Sequence, residues 1–455
     1  MKKFMSLGLC VLMLSFILAA CGGNNNTPVG GNAEGNASGT NTSNTANNAN
    51  AGEPANGADT ASEEPVTIKF MHFKSDFTDQ IAKIVEQFES ENPNIKVEVQ
   101  PVKYDDYYTL LKTKLAGGDV IDVFTLNAGF NTQLFADGGY LTDLTGQPFL
   151  NNFDESVVKG QATDGKNYIM PLNANPIAVF YNKKIFKELG LEVPRTYDAM
   201  IAAGEKIKAA GKTAFALGWK DAWTLTMWDT RDLPSNSALV AGQPDFFEKI
   251  ETGEAKFADN PAVKTTMEHA LKLYELGNKD QLGVDYNGVV DLFAKGDVGM
   301  MYMGTWPLPD IEKKNPELYN NDLGYFPYPF SNDESLNKLD FNADASLAVG
   351  SSSQHKEAAM KFLEFMSSKE GGDAWVENIK SLSYVKGTST DIAPAIKDLQ
   401  PYFDNGQTYD SQLYLAKTTI DWRAQFDQNL QKLFFKKITP DQIIADMDDW
   451  LSKNQ

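Results

Sequence analysis

Apolar and polar residues alternate over VTIKF (66–70) and again over IKVEV (95–99), the period-two pattern of half-buried strands. Between them Ile81, Ile84, Val85 and Phe88 share one helical face, which Pro93 ends. Tyr107, Leu110, Leu111 and Leu115 form a second helical stripe closed by Gly117-Gly118, and the mostly apolar VIDVFTL (120–126) suits a buried strand. Strand–helix–strand–helix–strand predicts a parallel sheet in an α/β lobe. Ligands of such sheets sit beyond the carboxyl ends of the strands. Those ends carry His72, Phe73, Lys74 and Asp76 after the first strand, and Asn127 after the third.

The middle of the chain repeats this grammar. IAVFYN (177–182) and TAFALGW (213–219) read as strands, and residues 196–211 read as a helix capped by Thr196. Asn260-Pro261 opens another helix through Val263, Met267, Leu271 and Tyr274, with Asn as cap and Pro at the first helical position. DVGMMYMG (297–304) is strand-like and runs into Gly304-Thr305-Trp306-Pro307. Later, HKEAAMKFLEFM (355–366) is amphipathic, and Thr439-Pro440-Asp441-Gln442 spells a capping box for the last helix.

Ahead of Pro65 the pattern is of another kind. Lys2 and Lys3 precede an uncharged apolar run from Phe4 to Ala20, the layout of a secretory signal peptide (1–20). Leu18-Ala19-Ala20-Cys21 resembles the lipobox of bacterial lipoproteins, which makes Cys21 a lipidated anchor to the cell membrane. The rest of 21–64 is mostly Asn, Gly, Ala, Thr and Ser with no aromatic residue, too polar to offset its ordering entropy. As a flexible tether it would span roughly 35 Å. Cys10 leaves with the signal and Cys21 carries lipid, so no disulfide is left to the mature fold. At 42% apolar residues the chain can build an ordinary core, and the length after Pro65 calls for two lobes.

The formal charge is −20, and it grows more negative when Lys2 and Lys3 depart with the signal. Nucleic acid and anionic membrane surfaces are poor partners for such a chain. Arg195, Arg231 and Arg423 are its three arginines, which disfavours a ligand needing several bidentate clamps. Motifs for chemistry fail in turn. GQATDGKN (160–167) has phosphate-loop spacing, but Asn167 stands where Ser or Thr would hold magnesium. Ser-x-x-Lys at Ser335, Ser353 and Ser383 lacks its companion elements. DFNAD (340–344) starts like a calcium loop, but Ala345 replaces the glycine. His72, His269 and His355 have no metal-ligand spacing. No catalytic residue, metal site or cofactor is expected.

Tryptophan placement carries the positive signal. Trp219, Trp223 and Trp228 lie within ten residues with Lys220 and Asp221 between them and Asp229 directly after, and Trp422 is flanked by Asp421 and Arg423. Flat apolar faces beside carboxylates suit a pyranose, which has an apolar CH face and a hydroxyl rim. Trp375 and Trp450 have core spacing. For Trp219, Trp223, Trp306 and Trp422 exposure alone leaves core and ligand face open.

Several segments carry a family resemblance: QFESENPNIKVEV (87–99), KLAGGDVIDVFTLN (114–127), residues 165–200, LFAKGDVGMMYMGTW (292–306) and HKEAAMKFLEFMSS (355–368). In this order and spacing, residues 66–453 resemble the extracellular solute-binding proteins of carbohydrate ABC transporters, the family of maltose-binding protein. The resemblance implies a two-lobed α/β fold of periplasmic-binding-protein type II, with the ligand in a cleft between lobes. One lobe would take 65–174 and 346–396, the other 175–345 and 397–455, with crossings near 173–177, 344–347 and 392–399. It implies a non-enzymatic, lipid-anchored monomer on the extracellular face that passes an oligosaccharide to membrane permease subunits. Trp306 and Trp422 match its stacking platforms, Lys74, Asn127 and Asn173 its first-lobe polar contacts, and Trp219, Asp221 and Trp223 a variable second-lobe loop. Asp344 matches a hydroxyl acceptor before a crossing, and Tyr384 a loop facing the cleft. Ala128-Gly129-Phe130 departs from maltose-binding protein, which carries charge there. Two alternatives stay open: a polyamine or other small-solute binder, since acid plus aromatic also cages ammonium groups, and a lipid-anchored carbohydrate-active enzyme.

Overall fold

The computed structural model describes residues 65–415, 420 and 422–454. The signal sequence, Cys21 and the tether lie outside the described residues. Among the described residues no helix is long and apolar enough to cross a membrane.

Two sheets organise the chain. The first runs β2 (Ile95–Pro101), β1 (Val66–His72), β3 (Val123–Leu126), β10 (Ser346–Val349) and β4 (Met170–Pro171). β1 is parallel to β2 and β3, as the early alternation predicts. β10 runs antiparallel to β3 and β4, because it reaches this sheet from the other lobe. Side chains on the two faces enter different apolar clusters: Phe70 and Val123 meet the helices Thr78–Glu91 and Lys356–Met366, while Met71 and Phe124 meet Tyr104–Ala116. Burial on both faces is why VFTL lacks polar alternation. Leu110 departs from its expected stripe and is 38% exposed. Tyr107, Leu111 and Leu115 already fill the inward line of that helix.

The second sheet is built around β5 (Asn173–Asn182), every residue of which is buried. Its first half pairs with β9 (Leu339–Ala343) and β11 (Leu382–Ser383), its second half with β7 (Val298–Met303) and β8 (Leu323–Pro327), all antiparallel. β6 (Thr213–Phe215) joins β7 in parallel, and β12 (Thr408–Tyr409) joins β9. This sheet is mixed like the first, but antiparallel pairs around one central strand dominate it. β6 is also shorter than TAFALGW suggests. Beyond it, Leu217 N–H donates to Asn278 Oδ1 at 2.7 Å and Trp219 N–H to the Gln281 carbonyl at 2.8 Å, so the chain is tied to a loop. Gly218 is required there, since a Cβ would lie 2.8 Å from the Asp285 carbonyl oxygen.

Helix starts follow the sequence signals. Thr196 Oγ1 accepts from Ala199 N–H, Asn260 Oδ1 from Ala262 N–H, and Thr439 and Gln442 cap each other. The late helices Arg423–Phe434 and Pro440–Asn454 pack into the second lobe.

The chain leaves the first sheet after Pro171 and returns to it at Ser346. These two passages lie side by side. Leu172 and Asn173 N–H donate to the Ala345 carbonyl at 3.1 and 3.3 Å, and Asp344 N–H donates to the Asn173 carbonyl at 3.2 Å. They form a short two-stranded ribbon between the lobes.

Candidate functional site

The residues beyond β1, β3 and β7 converge on one cavity between the lobes. Phe73, Lys74, Asp76 and Asn127 reach it from the first lobe, and Asp221, Trp223, Tyr286 and Trp306 from the second. Asp344 borders it from the ribbon.

Lys74 is buried at 9% exposure and its ammonium is ion-paired and hydrogen-bonded to Asp344 Oδ2. Its N–H donates to His72 Nδ1 at 3.1 Å. Burial, and then the Lys74 charge, push the His72 pKa down to about 4, so this imidazole is neutral and a structural acceptor. The Lys74 ammonium also stands 5.5 Å from the Phe73 ring centre and 6.0 Å from that of Trp306. A first-lobe cation thus faces a second-lobe aromatic.

Trp306 meets Trp223 edge to face at 5.8 Å and 67°, and Tyr286 lies 5.3 Å from Trp223. Trp306 packs against apolar clusters of both lobes. Its Nε1 and the Tyr286 hydroxyl are buried without a hydrogen-bond partner among the described residues. Both residues line the cavity, and each carries a donor that the described residues leave unsatisfied. Thr305, between Gly304 and Trp306, donates to Asn175 Oδ1 at 2.6 Å and anchors the turn to β5.

Asp221 Oδ2 accepts from Tyr286 N–H at 2.8 Å, which fixes the Trp223 loop to the helix Tyr286–Ala294. Asp105, from the first lobe, faces the backbone of Ala222 and Trp223 in the second across the cavity. Partial burial and the Asp221 charge hold the Asp105 carboxyl above the ordinary range. Burial and then Asp310 and Asp221 do the same to Asp76.

Asn127 lines the cavity, but its amide is committed. Tyr104 and Tyr108 hydroxyls donate to its Oδ1 at 2.9 and 2.6 Å, and its Nδ2 donates to the Asp344 carbonyl. Asn173 lies behind the cavity rather than in it, fully buried. Its Nδ2 reaches Asp344 Oδ2 at 3.2 Å and Ser381 Oγ at 2.7 Å, and its Oδ1 accepts from Ala345 N–H at 3.1 Å. Both asparagines position Asp344.

Two expected ligand contacts, Trp219 of the second-lobe loop and the platform Trp422, are core instead. Trp219 is 3% exposed and stacks on Phe434 at 4.6 Å and on Tyr274 at 5.9 Å. Trp422 is fully buried and stacks on Phe247 at 5.2 Å with 13° between planes. Tyr384 borders a neighbouring cavity. The Trp228 side chain lies outside the described residues. Lys74, Asn127, Asp221, Trp223, Trp306 and Asp344 are the expected residues that the structure brings together.

Sequence reasoning missed Tyr286, Tyr104, Asp105, Arg231 and Arg423, which also line the cavity. The Arg423 guanidinium sits 4.7 Å from the Phe130 ring centre. A signal existed for the arginines: in a chain with three of them, two border one cavity.

The family model of the bacterial extracellular solute-binding protein matches residues 74–373. The multiple sugar-binding protein of Streptococcus mutans is 30% identical over 338 residues, covering 73% of this chain and 79% of that protein. The diacetylchitobiose binding protein DasA of Streptomyces coelicolor is 28% identical over 336 residues, 70% of this chain and 72% of DasA. Among solved structures, a chitin oligosaccharide binding protein superposes with a TM-score of 0.72 at 21% identity, covering 85% of this chain and 98% of that one. RafE in complex with raffinose gives 0.69 at 24% identity, with the same coverage.

Proposed function

The chain belongs to the bacterial extracellular solute-binding proteins, and from that premise we propose that it captures an oligosaccharide between its lobes and delivers it to the permease of an ABC transporter. The observation that carries the ligand class is the box of Trp306, Trp223 and Tyr286 set against the Lys74–Asp344 pair. The rings offer apolar faces to sugar CH groups, while the ion pair, Asp221 and the unpartnered indole N–H serve hydroxyls. The relatives named for sugars support the same class. Lipid on Cys21 would hold the protein on the outer face of the membrane, and the tether would raise its encounter rate with the permease. The reading is of a binder without turnover, which fits a family of solute-binding proteins.

A thermal-shift screen tests this. Neutral oligosaccharides, including raffinose, diacetylchitobiose and xylo- and malto-series, are compared with polyamines. A ligand at 100 times its Kd stabilises the native state by roughly 2.7 kcal/mol. A cationic ligand has one observation in its favour, the carboxylates of Asp76, Asp105 and Asp221 beside the rings. Stabilisation by polyamines alone would replace the sugar reading with that one.

A further inference from the structure

A second cavity of about 670 Å³ adjoins the first, and Ala128, Gly129 and Gln412 border both. On the first-lobe side the boundary is a single methyl group and a glycine. Gly129 has φ of 80°, a conformation that disfavours any side chain. The chain therefore keeps this boundary low.

The second cavity has the surface chemistry of the first. Tyr384 meets Phe341 edge to face at 6.1 Å and 62°, and Leu413 adds an apolar side chain that is 54% exposed. The Tyr384 hydroxyl makes no hydrogen bond to any described residue. Burial pushes this phenol above its ordinary range, so it stays protonated and able to donate. Asp410, whose Oδ1 accepts from Gln412 N–H at 2.9 Å, brings a carboxyl to the same wall. Apolar edges, a free donor and an acceptor are what successive sugar rings require. The lining comes from both lobes: helix Glu155–Gly160 and the segment following it on one side, β9 and the segment after β12 on the other.

Resting on the saccharide reading above, we infer that the ligand is a linear oligosaccharide whose first ring stacks on Trp306 and whose following rings pass Ala128-Gly129 into the second cavity, where Tyr384 receives them. Affinity then depends on chain length, and the two cavities are separable by mutation.

The test is isothermal titration of the full-length protein in detergent with xylo-, malto- and chito-oligosaccharides of one to six units. In the series that binds, affinity should rise at least tenfold from the shortest member that binds to the longest. Tyr384→Ala should weaken the long members about tenfold and leave the shortest unchanged. Leu413→Trp fills the cavity from an exposed position, without touching the core, and should give the same split. Affinity that is flat with length, or equal losses at every length in both variants, would overturn the second subsite while leaving the saccharide reading intact. Absence of binding by every series would overturn this inference alone where raffinose still binds, and the saccharide reading with it where raffinose also fails.

Discussion

Gly304→Ala isolates the role of Trp306 without removing it. An added Cβ would lie 2.0, 2.5 and 2.6 Å from Cζ3, Cε3 and Cη2 of the Trp306 indole. Carbon atoms settle at about 3.5 Å or beyond, so the ring must withdraw by roughly 1.5 Å. The backbone at 304 is not among the positive-φ glycines, so the alanine itself is unstrained, and displacing the packed ring should cost the fold about 1–3 kcal/mol. A sugar stacked on the displaced ring loses its platform, at about 1–3 kcal/mol. That is a five- to 150-fold weaker Kd. Isothermal titration with the oligosaccharide found in the screen measures it, and tryptophan emission reports the displaced ring. Adding Trp306→Ala to Gly304→Ala should then cost little more, because both remove one interaction. An unchanged Kd would refute the platform. So would a large drop in ligand-free melting temperature with affinity of the surviving fold intact, which would make Trp306 a core residue.

Trp422→Ala should behave in the opposite way, costing about 3–5 kcal/mol in urea unfolding because a fully buried stacked indole is lost, with Kd unchanged by titration. Burial and the Asp340 charge beside it push the Asp410 carboxyl up to about 7. A group raised on folding adds stability while protonated, so its contribution is whole below about pH 4 and fades as pH climbs through 7, at about 1.4 kcal/mol per pKa unit. Between pH 4 and 7 the melting temperature of the native protein should fall relative to Asp410→Asn, and parallel curves would show that the shift is absent. Cys21→Ser should move the protein from the membrane to the soluble fraction with sugar affinity intact, and retention after alkaline washing would refute lipid anchoring.

What the sequence reveals follows from how local each cause is. Periodicity and capping are local, and β1, β2 and the helix starts at Thr196, Asn260 and Thr439 stand where the pattern puts them. The direction of β10 and the mixed order around β5 depend on which lobe a strand comes from, and no short window records that. Tryptophan placement separates poorly for the same reason. Trp306 and Trp422 both stand beside polar residues in the sequence, yet Phe247 and Phe257 close over one of them and a cavity opens beside the other. Asn127 and Asn173 lie close to the site as expected, but their partners Tyr104, Tyr108 and Ser381 come from distant stretches. Those bonds turn expected ligand contacts into supports.

The hydrogen-bonded ribbon at residues 172–173 and 344–345 has a mechanical consequence. Two strands held in register resist sliding and stretching, and they yield most easily to bending, so the ribbon acts as a pivot. Asp344 sits on that pivot while also forming part of the cavity wall with Lys74. A contact made at a pivot has almost no lever arm, so a ligand gripping Asp344 gains affinity but exerts little torque on the lobes. Torque comes from groups far from the axis that face each other across the cavity, such as the Asp105 carboxylate and the Ala222 and Trp223 backbone. Holding a ligand and driving closure around it are thereby assigned to different residues of one site.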